Sequence, residues 1–188
     1  MADSKPRLFQ NTSDIVLSLL VVVGLMVPTV AFTGMCSFDR GAPENGPVQK
    51  VDAAQVLGME ARAMNFPVRL PETPDGWVSN SARRTTVNRS PAPVVGWVTT
   101  QGAYLQLLQT DQPLDKAVKD IDEHGRTQQE FKDIDGQRFE VYTSAERNVR
   151  DAWAADLGDV RLILSGTASE AEFAELARAS LRAQPLKH

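Results

Sequence analysis

The sequence predicts an α+β domain that follows an N-terminal transmembrane helix and a linker, with an antiparallel sheet covered by amphipathic helices. Residues 15–38 contain no Asp, Glu, Lys or Arg, which is typical of a membrane-spanning segment. Later in the chain, runs rich in β-branched and aromatic residues are separated by short turn sequences, and such hairpins form antiparallel sheets. Segments with helical periodicity flank these runs and must cover a face of the sheet.

The composition narrows the function classes. The 188 residues carry a net charge of −4, whereas nucleic-acid binding usually needs a concentrated basic face. One Cys and two His cannot form an internal disulfide or the usual ligand set of a structural zinc site. No P-loop, dinucleotide fingerprint, H-E-x-x-H or G-x-S-x-G motif is present. We therefore expect a protein that is not an enzyme and that binds no cofactor, no metal and no nucleic acid.

Residues 15–35 form the predicted transmembrane helix. At about 1.5 Å per residue, a helix of this length crosses a hydrocarbon core of about 30 Å. Its Ile, Val, Leu and Phe residues each favour insertion by about 0.3–0.6 kcal/mol near the bilayer centre. The run is longer than the apolar core of a signal peptide and no A-x-A cleavage pattern follows it, so we expect a retained anchor. The residues that represent the anchor are Ile15, Leu20, Val23, Gly24, Pro28 and Phe32.

Pro28 interrupts the backbone hydrogen bonding of the predicted helix. It has no N–H to donate to the carbonyl of Gly24, one turn earlier in the chain. This pair permits a kink and the close approach of a neighbouring helix. In a single span such a kink is also often without consequence, and both interpretations stay open.

The basic residues on the two sides of the helix nearly balance, because Lys5 and Arg7 precede it and Arg40 and Lys50 follow it. We place residues 1–14 in the cytoplasm, since the first basic pair lies close to the helix. This orientation gives a single-pass protein of the cell membrane whose C-terminal domain is extracytoplasmic.

Residues 36–51 form the predicted linker. Gly, Pro and Asn dominate its first part and no periodicity is visible, as expected of a tether. Cys36 lies just past the anchor, and its thiol is free, cross-linked to a second copy or lipidated. A lipoprotein signal needs a small residue before the modified Cys, and Met35 is large.

The folded domain is predicted to span 52–185, and it begins with a helix. Residues 52–64 have helical periodicity, with Asp52 as the N-cap. A strand over 66–70 follows, and the Pro within it favours a sheet edge. A Pro-Asp-Gly turn then precedes a strand that runs from 77 to 87.

A hairpin and a second helix come next. Runs with strand character at 94–100 and 103–110 are separated by Gln-Gly, which fits a two-residue loop. Residues 111–121 form the next predicted helix, with Asp111 as its cap and a Pro at its start. The apolar residues of this helix recur at helical spacing, so that one face can pack on the sheet.

Two further hairpins and a helix complete the domain. Runs at 128–134 and 137–143 flank Asp-Gly, the strongest short hairpin signal in the chain. Runs at 150–155 and 160–165 flank Leu-Gly-Asp, which predicts another hairpin. The last helix begins after Ser169, where Ser-Glu-Ala-Glu is a capping box.

Three arginines form the candidate partner surface: Arg83, Arg84 and Arg89. A basic cluster of this kind can meet an acidic partner or a lipid head group. The alternative is a solvated strand face, on which charged side chains are common.

His124 is the only His inside the predicted domain. It lies at a predicted helix end, where the macrodipole favours a cation, and a role as general base is the alternative. Trp77, Trp97 and Trp153 fall in predicted strands, which favours core packing over a role as interface anchors.

Several segments across nearly the whole chain carry a resemblance to a known family. They are Phe32-Thr-Gly-Met-Cys36, Gly41-Ala-Pro-Glu-Asn-Gly-Pro47, Ala61-Arg-Ala-Met-Asn-Phe-Pro-Val-Arg-Leu-Pro71, Asn80-Ser-Ala-Arg-Arg84, Pro93-Val-Val-Gly-Trp-Val98 and Gly158-Asp-Val-Arg-Leu162. The sequence resembles an uncharacterised actinobacterial family of single-span membrane proteins, typical of corynebacteria and mycobacteria and catalogued as a domain of unknown function. The resemblance implies a retained N-terminal helix with the domain outside the cytoplasm, and it implies no activity and no catalytic residues.

Residues 164–181 show a second, looser resemblance. They are similar to the last strand and helix of several exported sheet-plus-helix domains. Those domains mostly bind proteins or lipids, so this resemblance implies binding rather than catalysis.

We therefore expect a non-enzymatic, membrane-anchored extracytoplasmic binding or accessory protein of the actinobacterial cell envelope. Its expected partner is a larger membrane protein complex or an envelope component, with a respiratory assembly and the wall-building machinery as candidates. One alternative is a carrier or sensor of an apolar envelope ligand, suggested by the supply of apolar side chains at Trp97, Tyr104, Leu105, Leu107 and Trp153. The other alternative is a hydrolase with a dispersed site.

Overall fold

The computed structural model describes residues 12–32, 48–121, 124–146 and 149–186, in which four helices and seven strands lie. In chain order they are α1 (Thr12–Phe32), α2 (Ala53–Ala61), β1 (Val78–Val87), β2 (Ser90–Val98), β3 (Tyr104–Thr110), α3 (Leu114–Lys119), β4 (Thr127–Ile134), β5 (Gln137–Thr143), β6 (Asp151–Asp156), β7 (Arg161–Gly166) and α4 (Glu170–Arg182).

α1 belongs to the first of two compact units into which the chain divides, Met1–Gly46 and Pro47–His188. It is a helix of 21 residues with Pro28 inside it. Between residues 15 and 27, the large apolar side chains are exposed on every side of the helix: Ile15, Val16, Leu17, Leu19, Leu20, Val21, Val22, Val23, Leu25, Met26 and Val27. Among the described residues, no single helix has both the length and the apolar character that are needed to span a membrane.

Some of the predicted features lie outside the described residues. These are most of the N-terminal segment, at 1–11, and residues 33–47. The second range holds the end of the predicted span, Cys36 and most of the predicted linker.

The second unit is built on one sheet with the strand order β1-β2-β3-β7-β6-β5-β4, and every neighbouring pair is antiparallel. The first three strands and the last four each form a continuous meander. The two meanders join where β3 pairs with β7, from Leu105 opposite Gly166 to Thr110 opposite Arg161. The predicted α+β class with an antiparallel sheet is therefore confirmed.

Local turn and cap signals account for several element boundaries. Asp135 and Gly136 have φ values of 52° and 83°, as the predicted two-residue turn between β4 and β5 requires. The N-cap Asp52 accepts a hydrogen bond from the backbone N–H of Gln55, and Ser169 forms the predicted capping box. Each of these signals depends only on residues close together in the chain.

β2 begins four residues earlier than the sequence predicts, at Ser90 rather than at residue 94. Asn88 and Arg89 form a tight turn between β1 and β2, with φ values of 47° and 66°. Pro93 lacks an N–H for the sheet, but the pairing of β2 with β3 begins only at Val94. The prolines of β2 therefore lie in its first part, where no backbone N–H is needed for hydrogen bonds to β3.

Residues 66–70 do not form the predicted strand, since only Arg69 makes an isolated bridge, to Pro185. The side chain of Gln109 makes the hydrogen bonds to the Arg69 backbone that a neighbouring strand would otherwise make. Its Oε1 accepts from the Arg69 N–H and its Nε2 donates to the Arg69 carbonyl, both at 2.7 Å. The N–H and the carbonyl of Arg69 are therefore hydrogen-bonded without a paired strand, and the prediction of a strand over 66–70 is wrong.

The helix predicted over 111–121 is shorter, and the predicted loop between the strands of the first hairpin is longer. Pro113 is the N-cap of α3 and disfavours helical backbone at the residue before it, so Asp111 is not the cap. In the hairpin, the Thr99 N–H donates to the Ala103 carbonyl at 2.8 Å, which closes a loop of residues 100–102 with a positive φ at Gly102.

The two faces of the sheet differ in what covers them. The face that packs on α2 and α4, which we call the covered face, buries the larger cluster: Leu57, Val95, Trp97, Leu105, Leu107, Phe139, Trp153, Leu162, Leu164, Phe173 and Leu176. The opposite face, which we call the open face, packs on α3 over part of its area: Val87, Ala92, Val94, Leu108, Ala117, Val118, Ala154 and Ile163. The alternation of side chains along each strand separates the two sets.

Gly166 permits the close approach of β7 and β3. A Cβ built on Gly166 would contact the Tyr104 carbonyl oxygen and lie 2.8 Å from the Leu105 Cα, and both obstacles are backbone. We expect Gly166→Ala to lower the free energy of unfolding by about 1–3 kcal/mol, because backbone cannot move aside as a side chain can. Urea unfolding checks this, with Gly125→Ala as the control, because a Cβ at Gly125 would meet no atom within 4 Å. A cost for Gly166→Ala no greater than for Gly125→Ala would contradict the explanation.

Glu172 anchors the first turn of α4 and is only 7% exposed. Its Oε2 accepts from the Ser169 N–H at 2.7 Å and from the Ser169 Oγ at 2.8 Å. Burial alone would raise the pKa of this carboxyl, but the hydroxyl of Thr99 and the backbone and hydroxyl of Ser169 outweigh burial, so that the pKa is lowered. The charged form is therefore the one that the fold stabilises.

Acidification is expected to destabilise the domain through Glu172. Because the folded-state pKa lies below the ordinary value, the stabilisation is complete above the ordinary glutamate pKa and is lost as the pH falls through the lowered value. We expect the urea midpoint of the wild type to fall more between about pH 7 and about pH 3 than that of Glu172→Gln, whose amide does not titrate. Equal falls in the two proteins would show that other carboxyl groups account for the acid sensitivity.

Candidate binding surface

α3 leaves part of the open face without a helix. α3 has six residues, and its contacts are with the central strands β6 and β7. Beyond it, a row of polar side chains runs across β1, β3 and β7. We call this row the polar strip, and its members are Ser81, Arg83, Tyr104, Gln106 and Ser165.

Hydrogen bonds connect every member of the polar strip. The Tyr104 hydroxyl donates to Gln106 Oε1 at 3.1 Å and lies 3.2 Å from Ser81 Oγ. Arg83 Nη2 donates to the same Gln106 oxygen at 3.4 Å. On the other side, Gln106 Nε2 donates to Ser165 Oγ at 3.0 Å. Gln106 is therefore the centre of the network, and its amide orientation is set by partners on both sides.

Gly96 of β2 makes the strip continuous. A Cβ at this position would lie 2.5 Å from Ser81 Oγ and 2.7 Å from Cζ of Tyr104. The absence of a side chain lets the Tyr104 ring lie across β2 and reach Ser81 on β1. A glycine inside a strand is the one sequence signal that points to this close approach.

Arg150 lies beside the polar strip, just before β6. Its guanidinium carbon is 5.3 Å from the centre of the Tyr104 ring, within cation–π distance. Its carbonyl accepts from Arg126 Nε at 2.8 Å, which ties the backbone at this point. Arg150 therefore contacts Tyr104 directly, and Arg83 is linked to the same tyrosine through Gln106.

The charges of Arg83 and Arg150 are not neutralised within the part of the chain that the structure describes. Neither guanidinium has a carboxylate within 4.0 Å there, whereas several other arginines do. Those paired with Asp or Glu are Arg69, Arg84, Arg161, Arg178 and Arg182.

The structure places the three predicted partner-surface arginines apart. Arg83 belongs to the polar strip, whereas Arg84 points to the covered face and bonds to Glu60 at 2.7 Å. Arg89 lies in the turn after β1. Of the three, only Arg83 therefore belongs to the polar strip. The sequence alone did not predict that Tyr104, Gln106 and Arg150 lie on the same face.

His124 does not lie at a helix end, because α3 ends at Lys119. Its Nδ1 is 3.0 Å from Glu146 Oε2, and both side chains are exposed. Trp77, Trp97 and Trp153 are buried in the core on the covered face, as predicted.

Tyr142 also lies on the open face, where it packs against the cluster under α3. Burial, and next the hydrogen bond that its hydroxyl donates to Glu140 at 2.5 Å, raise the pKa of Tyr142. This phenol therefore stays protonated at neutral pH. Among the described residues, no group of three or more His, Cys, Asp or Glu side chains is arranged to hold a metal ion.

Two open clefts lie around the segment 70–75. One, of about 740 Å³, separates this segment from α4 and has charges of both signs on its walls, among them Glu72, Glu175 and Arg178. The other, of about 710 Å³, separates it from the start of α2. Of the five residues proposed for an apolar ligand, four are buried in the core on the covered face and the fifth, Tyr104, lies in the polar strip.

No curated protein and no solved structure matches the chain. A family described as "Protein of unknown function (DUF4245)" matches residues 7–180, which confirms the expected resemblance to a catalogued domain of unknown function. Because the match spans nearly the whole sequence, the chain belongs to the DUF4245 family.

Proposed function

We propose that this chain is a membrane-anchored, non-enzymatic binding or accessory protein, and that its domain docks a protein partner on the polar strip. The observation that carries the proposal is the strip itself. A solvated sheet face requires only polar side chains, but here five of them are linked by hydrogen bonds into one arrangement. Groups held in place in this way lose little side-chain entropy when a partner binds.

The types of side chain in the strip suit recognition of another protein. Tyrosine and arginine are among the residues that most often dominate the binding energy of protein interfaces. Here Arg150 lies over the Tyr104 ring, and Arg83 is linked to Tyr104 through Gln106. The guanidinium groups of Arg83 and Arg150 are exposed beside the half-buried Tyr104 and Gln106, whereas Ser165 is buried and supports Gln106 from below. These groups bind and orient a partner, which fits an accessory subunit better than an enzyme.

The proposed anchor is the segment 15–35. Its sequence lacks charged residues, and the part that the structure describes is a helix with apolar side chains exposed all round. A helix of that kind needs either a protein interior or a bilayer around it. Residues 33–35, which complete the length of the proposed span, lie outside the described residues.

The proposed location follows from the anchor and the resemblance. Residues 1–14 would lie in the cytoplasm and the α+β domain in the cell envelope of an actinobacterium. The partner would then be a larger membrane complex, such as a respiratory assembly, or another envelope component. A domain tethered close to the bilayer meets membrane-bound partners at a high effective concentration.

Purification of the full chain from native membranes in mild detergent, at native expression levels, tests this function. We expect a protein partner to co-purify in stoichiometric amount with the wild type and to be lost with Gln106→Ala, which removes the centre of the polar strip. Glu175→Ala, on the wall of the larger cleft, is the matched control and should retain the partner. Recovery of the bare monomer, or loss of the partner with Glu175→Ala alone, would overturn the proposal.

A further inference from the structure

We infer that the partner presents acidic side chains to the polar strip, and that Arg83 and Arg150 bind their carboxylates. This inference rests on the proposed function and adds the chemistry of the partner to it. Arg150 lies over the Tyr104 ring and Arg83 shares Gln106 Oε1 with the Tyr104 hydroxyl, so that carboxylates bound to the two arginines would both lie near the tyrosine.

Arg83 makes one hydrogen bond within the strip and leaves most of its hydrogen-bonding capacity unused. A guanidinium has five N–H donors in a planar fork. Among the described residues Arg83 donates one bond, to Gln106 Oε1, and the side chain is exposed. Its free donors match the geometry of a carboxylate, which arginine binds through two parallel hydrogen bonds.

Arg150 supplies the second positive charge. Its guanidinium packs against the Tyr104 ring, and the adjacent backbone is tied by Arg126. Stacking on an aromatic ring leaves the edge of the guanidinium free to donate. No carboxylate of the described residues lies within 4.0 Å of it, in contrast to Arg84 one residue after Arg83.

The shape of the surface favours a protein over a small anion. Arg83 and Arg150 are both exposed, and the depression next to Arg150, lined by residues 149–151 and 166–168, is only about 230 Å³. Sites that enclose a small organic ligand usually measure about 300–1,000 Å³. Two exposed arginines near a tyrosine are instead typical of a protein interface, whose binding energy concentrates in such residues.

Peptide binding to the full chain in detergent tests the inference. The probes are a fluorescent peptide of about ten glutamates and a matched peptide of about ten glutamines, chosen because binding to arginine then depends on the carboxylate alone. We expect the glutamate peptide to bind in preference and to dissociate as salt rises. Arg83→Gln and Arg150→Gln should each weaken binding at least about fivefold, since each removes a charge-assisted pair.

Arg84→Gln is the control, because it makes the same charge change at the neighbouring residue on the opposite face. It should alter binding by less than about twofold, as expected of a charge outside the interface. Equal weakening by Arg84→Gln, or equal binding of the glutamine peptide, would overturn the inference. Displacement of the peptide by phosphatidylglycerol vesicles but not by phosphatidylcholine vesicles would also overturn it, since the strip would then recognise a lipid surface.

The same variants separate this inference from the proposed function. If the native partner still co-purifies with Arg83→Gln and Arg150→Gln but is lost with Gln106→Ala, the strip docks a partner without the carboxylate contacts. The function then stands and the inference fails. If no variant of the strip affects co-purification, both fail.

Discussion

Replacing Trp97 with alanine is expected to lower the free energy of unfolding of the domain by about 3–5 kcal/mol. Trp97 is 0% exposed and lies in β2 at the centre of the cluster on the covered face. Its truncation removes the largest fully buried side chain and leaves a cavity between the sheet and the helices. The indole Nε1 also donates to Thr73 Oγ1 at 3.2 Å, so the segment around Thr73 loses its attachment to the sheet.

Urea unfolding of the full chain in mild detergent measures this change. Trp97→Phe keeps most of the apolar volume and removes the hydrogen bond, so it should cost less than half as much as Trp97→Ala. Met59→Ala is the surface control, because Met59 is 56% exposed and should be almost neutral. A cost for Trp97→Ala close to that for Met59→Ala would show that the covered face does not hold the domain together.

Placing a charge in the middle of α1 is the second large effect that we expect. On the proposed anchor, Val23→Arg should weaken insertion roughly a hundredfold, because an arginine at the centre of a span opposes insertion by about 2.5–3.5 kcal/mol. The measurement is the fraction of the full chain that resists alkaline carbonate extraction. We expect this fraction to be lower for the variant than for the wild type.

The control for this change is Val23→Leu, which preserves apolar character at the same position and should remain with the membranes. A wild-type chain found in the soluble fraction would contradict the proposed anchor directly. So would a Val23→Arg chain that resists extraction as well as Val23→Leu does. Neither outcome depends on the polar strip, so the anchor and the docking surface are tested separately.

Features that depend on neighbours in the chain could be predicted from the sequence. The turn at Asp135 and Gly136, the cap at Asp52 and the capping box at Ser169 all follow from local backbone chemistry. The turn at Asn88 and Arg89 could not be predicted in the same way, because arginine rarely adopts a positive φ. Local rules therefore gave the fold class and most elements, but not the start of β2.

The polar strip could not be predicted because it depends on register between distant strands. Ser81 reaches Tyr104 only because Gly96 lies opposite Ser81, and Ser165 reaches Gln106 only because β7 pairs with β3. The basic residues at 83 and 84 looked like one cluster in the sequence, but a strand sends neighbours to opposite faces. A pattern of charges along a strand therefore has to be divided by alternation before it can describe a surface.

The junction of β3 with β7 also constrains when the sheet can form. During synthesis from the N-terminus, one edge of β3 stays unpaired until the last hairpin has formed, because its partner β7 is the final strand of the chain. Long-range pairing of this kind slows folding, and an unpaired strand edge invites association with other chains. Folding intermediates of this protein should therefore be most vulnerable to aggregation just before the C-terminal strand and helix become available.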